Sequence, residues 1–295
     1  MRILFLSDFH GRVPDISEWD ADVVVAGGDY CEVDEIRDLK FAAMGRGWSA
    51  TEWTRLAGQG RADELIERAL AEGSAVVAAL AECGLPVLAI PGNSDRVALM
   101  NEAITLRHLP RPDHPAVEGR ITDIETRIVV HGGIAFAGLG GWSGPANSQR
   151  LENDLAELRG QWQRLLAERA RLGAAAPPLV LVSHNVPYGS RLDGVNNPVV
   201  PAYVQGKLVG SHRAKAVIEA LSPVLCLCGH LHENYGRTEL IGRTLCVCGA
   251  GAYRGDAVRL EVQADASVST PEFVSSSRGA ARVLSGSSAE GHESG

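Results

Sequence analysis

No apolar run in this 295-residue chain approaches the ~20 residues needed to cross a bilayer, so no membrane span and no membrane partner are expected. Positive charge is also in short supply. Lys and Arg number 28 against 36 Asp and Glu, a net charge of −8. A long nucleic-acid footprint wants clustered Lys and Arg, and none is expected here, although a small anionic substrate can still be drawn to a locally positive site. The stretch from Met1 to Asp8 has neither the length nor the small-residue cleavage site of a signal peptide, and there are no internal repeats. Zinc knuckles of the C-x₂₋₄-C type are missing too. Four of the six cysteines stand as Cys226-x-Cys228 and Cys246-x-Cys248 inside strand-like runs. In that setting cysteine acts as a small buried hydrophobe, so packing is expected of them rather than metal binding or cross-linking, and the chain reads as cytoplasmic.

With 45% hydrophobic and 22% charged residues, the composition is that of a soluble globular protein long enough to bury a sizeable core. Five short apolar runs each stop on a side chain that can ligate a metal. Ile3–Leu6 runs into Asp8 and His10, Val23–Val25 into Asp29, and Val87–Ile90 into Asn93. Leu179–Val182 runs into His184, and Val224–Leu227 into His230 and His232. Such runs, bounded by Gly or Pro, predict strands buried on both faces, and ligands of open α/β sheets bind just past the carboxyl ends of strands. Five strands that deliver Asp, His or Asn at that end predict one shared metal site.

Around these runs the pattern predicts helices and a hairpin. Ser49-x-x-Glu52 fits a capping box. Residues 62–83 carry apolar side chains at helical spacing, and Gly84-Leu85-Pro86 ends that helix. Gly132-Gly133 separates two short strands, a hairpin signature. A helix is expected over 148–172, and Ser211 can cap another that carries Val217 and Ile218. From residue 264 the chain turns to Ser, Gly, Ala and charge. The expectation is a single α/β domain over residues 1–263 and a disordered Ser/Gly-rich tail over 264–295. Trp48 and Trp53, in the charged 31–60 segment, are expected to pack rather than to stack on bases.

The seven candidate ligands donate only N or O, which points to Mn²⁺, with Fe or Zn²⁺ as alternatives. Seven donors are too many for one tetrahedral ion and suit two ions ~3.5–4 Å apart sharing a carboxylate. At this point Ser7-Asp8-Phe9-His10-Gly11, Gly28-Asp29, Gly92-Asn93, His184 and Gly229-His230-Leu231-His232 closely resemble the motif series of the calcineurin-like metallophosphoesterases, in that family's order and over about residues 1–262. The resemblance implies a two-sheet sandwich flanked by helices, in four αββα layers. It implies that Asp8, His10 and His232 hold a first divalent ion, that Asn93, His184 and His230 hold a second, and that Asp29 bridges them. A metal-bridging hydroxide would then attack a small phosphodiester or phosphomonoester in line.

Two features depart from that pattern. Ser94 stands where many members carry a histidine credited with protonating the leaving oxygen, and only Asp95 retains the acidic position after it. Asp29, Asn93, Asp95 and His212 are therefore the candidate catalytic residues, His212 as a replacement acid at a helix start. The absent histidine favours diesters or good leaving groups. The 31–60 segment is the second departure, and it could cover the site and set substrate choice. Arg12 and Arg96, next to ligand motifs, could contact phosphate or lie in solvent. His108, His114, His131 and His292 are expected to be structural or surface residues. Two other readings compete: a non-catalytic metal-binding scaffold of the same fold, and a mononuclear hydrolase of C–N bonds. The scaffold fits poorly with seven competent ligands, the hydrolase with Asp8 and Asn93.

Overall fold

The structure, a computed structural model, describes residues 1–96, 120–141, 148–197 and 200–283. The first half runs β1 (Arg2–Leu6), β2 (Arg12–Pro14), β3 (Val23–Ala26), α1 (Asp34–Gly45), α2 (Trp53–Ala57), α3 (Gln59–Glu82), β4 (Val87–Ala89) and β5 (Ile121–Asp123). Then come β6 (Ile128–His131), β7 (Ile134–Leu139), α4 (Ser148–Arg171), β8 (Leu179–Ser183), α5 (His212–Leu221), β9 (Leu225–Cys228), β10 (Thr238–Ile241) and β11 (Thr244–Cys248). The chain closes on β12 (Asp256–Glu261), β13 (Glu272–Ser275) and β14 (Ala280–Arg282).

Two six-stranded sheets result, in the orders β13-β12-β1-β3-β4-β5 and β10-β11-β9-β8-β7-β6. Their centres are parallel, β1 to β3 to β4 to β5 and β7 to β8 to β9 to β11, with antiparallel strands at the edges. The apolar runs explain the layering. In β1, Ile3 and Phe5 face Val180, Val182 and Leu227 of the other sheet, while Leu4 and Leu6 turn outward onto Val76, Val77 and Leu80 of α3. In β9, Leu225 and Leu227 point inward, and Cys226 and Cys228 outward among Leu158 of α4 and Val217 and Ile218 of α5. Each central strand is thus covered on both faces, and the layers are helix, sheet, sheet, helix, as expected.

The capping box forms, with the Ser49 amide donating to Glu52. All six cysteines are free, and the four in β9 and β11 are buried packing. Trp53 is 1% exposed, in a satellite core with Ile36 and Leu65, and it packs as anticipated. His108, His114 and His292 lie outside the described residues.

The tail expectation needs correction as far as residue 283; its remainder, residues 284–295, lies outside the described residues. Val262 bridges Val268, β13 pairs antiparallel with β12, and β14 pairs with β2, so ordered chain continues to residue 283. Main-chain pairing and a few anchors replace the missing apolar bulk. Phe273 meets Tyr235 edge-on, Ser276 and Ser277 donate to Glu18, and Arg282 pairs with the buried carboxylate of Glu72. Serines that suggested disorder are here satisfying a carboxylate.

Candidate metal centre

Because β1, β3 and β4 run parallel, as do β8 and β9, all five ligand-bearing loops leave the same edge of the sandwich. The loops are tied together there. The Asp8 amide donates to the Gly28 carbonyl at 2.9 Å, those of Phe9 and His10 donate to the Asp29 carbonyl, and Gly229 N donates to the His184 carbonyl at 2.8 Å. Among the described residues, seven that are not glycine have positive φ, and four of them are candidate ligands: Asp8 (64°), His10 (45°), Asp29 (59°) and His230 (70°). That region is disfavoured for side chains with a Cβ, and strain of this kind gathers at functional sites. Glycines make the crowding possible. A Cβ on Gly92 would strike the Asp29 carboxylate, and one on Gly229 would strike Ser7 and Asp8.

The candidate donors gather in two overlapping groups. Ligand atoms of Asp8, His10 and His232 lie within 4.8 Å of one another, as do those of Asp8, Asp29 and His184. His10 Nε2 is 3.1 Å from His232 Nε2, and that nitrogen is 3.1 Å from Asp8 Oδ1. On the other side, His184 Nε2 is 2.9 Å from Asn93 Oδ1 and 3.4 Å from Asp29 Oδ1. The His230 ring packs against His184 with centroids 5.3 Å apart, and its amide donates to both oxygens of Asp8. Lone-pair atoms this close repel unless protons or cations lie among them. Asp8 is fully buried and Asp29 only 3% exposed, a setting in which carboxylates need a compensating charge. The donors present fit divalent ions.

Burial and mutual charge shift the groups of the cluster in opposite directions. Burial alone would raise Asp8, but the hydrogen bond with His232 and the charges of the surrounding histidines hold it well below the usual carboxylate range. Burial lowers His10, and burial together with the like charge of His184 takes His230 down to about 4. His184 goes the other way, because Asp29 and Asp8 outweigh its burial and raise it. His184 Nδ1 sits 2.8 Å from the Gly27 carbonyl. With its proton there, the ring turns Nε2 toward the cluster, the usual outer support of a metal-ligating histidine.

This arrangement also decides what several sequence candidates do. Asp95 is 4% exposed and accepts hydrogen bonds from the amides of Asp29, Tyr30, Cys31 and Gly92. It fastens the Asp29 loop to the Asn93 loop and is not among the described residues that line the open site, so a direct catalytic role is not supported. Ser94, 3% exposed, donates from its amide to Asp29 Oδ1 and from its hydroxyl to Oδ2. His212 is exposed at the first position of α5, with its ring stacked on Tyr188 at 3.8 Å. Among the described residues no contact joins it to the seven donors. Arg12 is exposed on β2.

A family model described as calcineurin-like phosphoesterase matches residues 1–234. The chain belongs to that family. The calcineurin-like phosphoesterases use divalent metals, and the protein is a metal-dependent phosphoesterase in that general sense. No curated protein matches the chain. One solved structure superposes with a TM-score of 0.62 at 16% identity, covering 94% of this chain and 99% of its own. TT1561 of Thermus thermophilus superposes at 0.52, again with 16% identity, over 93% of this chain and 98% of its own. At that identity these likenesses speak for the fold. Among the described residues no helix is long and apolar enough to cross a membrane.

Two residues at the family site escaped the sequence reading. Tyr253 donates its amide to the Asp8 carbonyl, and its ring lies 4.9 Å from His232 and 5.8 Å from His10, centroid to centroid. It follows β11 just as the ligands follow their strands, and Gly249-Ala-Gly251-Ala-Tyr253 carried that signal. Lys40 of α1 is half-buried. Burial lowers its ammonium, and the charge of Asp29 opposes this. The 31–60 segment does reach the site, because Asp34, Arg37, Asp38 and Phe41 of α1 line a cavity shared with His10 and His232.

Proposed function

We propose that the protein is a dinuclear phosphoesterase that hydrolyses a small phosphate ester, favouring diesters and esters of good leaving groups over alkyl monoesters. Asp29 carries this reading. Its Oδ1 faces His184 at 3.4 Å and its Oδ2 faces His10 at 3.9 Å, one oxygen toward each set of donors. Asp8, His10 and His232 would hold one ion, Asn93, His184 and His230 the other, with Asp29 shared. The all-N/O donor set suits Mn²⁺ first, with Fe or Zn²⁺ as alternatives. When bound, two such ions supply Lewis acidity for the phosphoryl oxygens and make water a nucleophile near neutral pH.

The chain's own groups prepare that chemistry. Two buried carboxylates against two divalent ions leave positive charge uncompensated, which is what a phosphoryl group needs. Asp95 and Ser94 fix the position of Asp29, and the Gly27 carbonyl orients His184. In hydrolysis the water oxygen joins phosphorus, the bond to the leaving oxygen breaks, and one water proton ends on the leaving oxygen. Ser94 Oγ is committed to Asp29, so that proton comes through solvent. This accounts for the proposed preference for good leaving groups. Six free cysteines, five of them buried, support a reducing, cytoplasmic setting.

The test is metal analysis of the purified protein, followed by Mn²⁺-supplemented hydrolysis of matched aryl diesters, aryl monoesters and cyclic nucleotides. The proposal expects hydrolysis that a chelator abolishes and Mn²⁺ restores, with aryl diesters ahead. Inactivity toward every ester by metal-loaded protein would refute it.

A further inference from the structure

The ligand cluster opens at one side into a cavity of about 640 Å³, within the ~300–1,000 Å³ of small-molecule sites. His10, His230, His232 and Tyr253 form its inner end. Half of the remaining lining residues are apolar side chains: Phe41 of α1, Leu231 beside the ligand histidines, and Val195, Val200, Val204 and Val209 from the segment between β8 and α5. Those valines are held by the outer core, so the wall is built rather than loosely draped. The same segment turns Tyr203 and Leu208 outward, 44% and 48% exposed.

Charge on the cavity wall excludes other ligands. Arg37 is the one Lys or Arg among the described lining residues, and it pairs with Asp34 at 2.7 Å. Asp38 and Glu233 add negative charge. A second phosphate, or the polyphosphate of a nucleotide, would meet carboxylates and apolar carbon. Among the described lining residues, the metal end is the one place built for negative charge.

We infer that the cavity takes the apolar group of an amphiphilic phosphodiester, an alkyl- or acyl-bearing group on one side of a single phosphate and the leaving group on the other, with the phosphate at the His10–His232 end and the chain along Phe41, Leu231 and the four valines. This deepens the phosphoesterase proposal and rests on it for the identity of the phosphate end. Burial of a chain on such a wall is roughly proportional to area, so each methylene adds a constant increment.

The probes are n-alkylphosphonates from ethyl to octyl. Their binding to metal-loaded protein is measured by calorimetry, and their inhibition of p-nitrophenyl ester hydrolysis is measured in parallel. Affinity should rise about fourfold per methylene over the first carbons, and octylphosphonate should bind far more tightly than ADP. Val204→Asn should flatten the dependence on chain length. Leu172→Ser, on an exposed apolar residue far along the chain in a turn after α4, should keep the wild-type slope and serves as control. Affinity that does not depend on chain length in active enzyme overturns the inference and leaves the phosphoesterase reading standing. Tighter binding of ADP than of octylphosphonate overturns it as well. A steep chain-length dependence in a protein that hydrolyses no ester keeps the cavity assignment and sinks the phosphoesterase reading instead.

Discussion

Ser94 holds Asp29 with two hydrogen bonds, amide to Oδ1 at 2.7 Å and hydroxyl to Oδ2 at 2.8 Å. The residue that stands where a family histidine was anticipated therefore positions the carboxylate shared by both donor sets. Ser94→Ala removes the hydroxyl bond and leaves the amide bond. Outer-shell losses of this kind typically weaken metal binding or activity ~10–100-fold. Mn²⁺ titration and kcat/KM should both fall within that range, and an unchanged metal affinity would contradict the positioning role. Ser94→His should lower metal content too, because it removes the hydroxyl bond to Asp29 at a buried position.

Neither Ser94, committed to Asp29, nor His212, stacked on Tyr188, is placed to protonate the leaving oxygen. A plot of log kcat/KM against leaving-group pKa should therefore fall steeply for the wild type, since acid assistance is worth about 10²–10⁴-fold. His212→Ala should leave that slope as it is, because His212 stacks on Tyr188 away from the donors. A flat wild-type plot that steepens in His212→Ala would return the acid role to His212.

Truncation after Val274 should destabilise the protein. It removes β14 and its pairing with β2, the Ser276 and Ser277 bonds to Glu18, and the bond from the Val283 amide to the Gly11 carbonyl, next to His10. A drop in Tm of several degrees is expected, about 2–4 °C for each kcal/mol at this size. A melting curve that coincides with that of the full chain would show that this strand contributes nothing.

Proton competition gives a pH prediction with a definite sign. His184 is raised above its ordinary 6.5 in the metal-free protein, so a proton must leave it before an ion binds there. His230, lowered to about 4, carries none near neutral pH. Apparent Mn²⁺ affinity should therefore rise with pH through the neutral range and level off above the raised value of His184. Calorimetry between about pH 6 and pH 8.5, in buffers of different ionisation enthalpy, should register about one proton released for the ion at His184 below the plateau. Affinity independent of pH across that range would remove His184 from the ligand set.

Much of this molecule was legible because its signals are local and repeated. The runs before Asp8, Asp29, Asn93, His184 and His230 are short, apolar and abruptly ended, and a buried parallel strand admits little else. The capping box at Ser49 and the glycine pair at Gly132 are equally local. Less legible were features that depend on a distant partner. Nothing near Asp95 says that its carboxylate will collect four amides from two loops. Nothing near Ser276 says that Glu18, some 258 positions away, will be there to accept. β13 and β14 escaped for the same reason: Phe273 and Arg282 find Tyr235 and Glu72 only once the sheets exist. Tyr253 was readable, since it follows a strand as the ligands do, but tyrosine is not an expected metal donor.

The central claim is that Asp29 joins two ions, and counting ions tests it most directly. Metal per chain is measured after Mn²⁺ loading and gel filtration, for wild type and for Asp29→Asn, which keeps the shape of the side chain but removes the charge between the two donor sets. The account predicts two ions in the wild type and loss of both in the variant, with turnover lost alongside. Two ions retained by Asp29→Asn with near-normal turnover would contradict it.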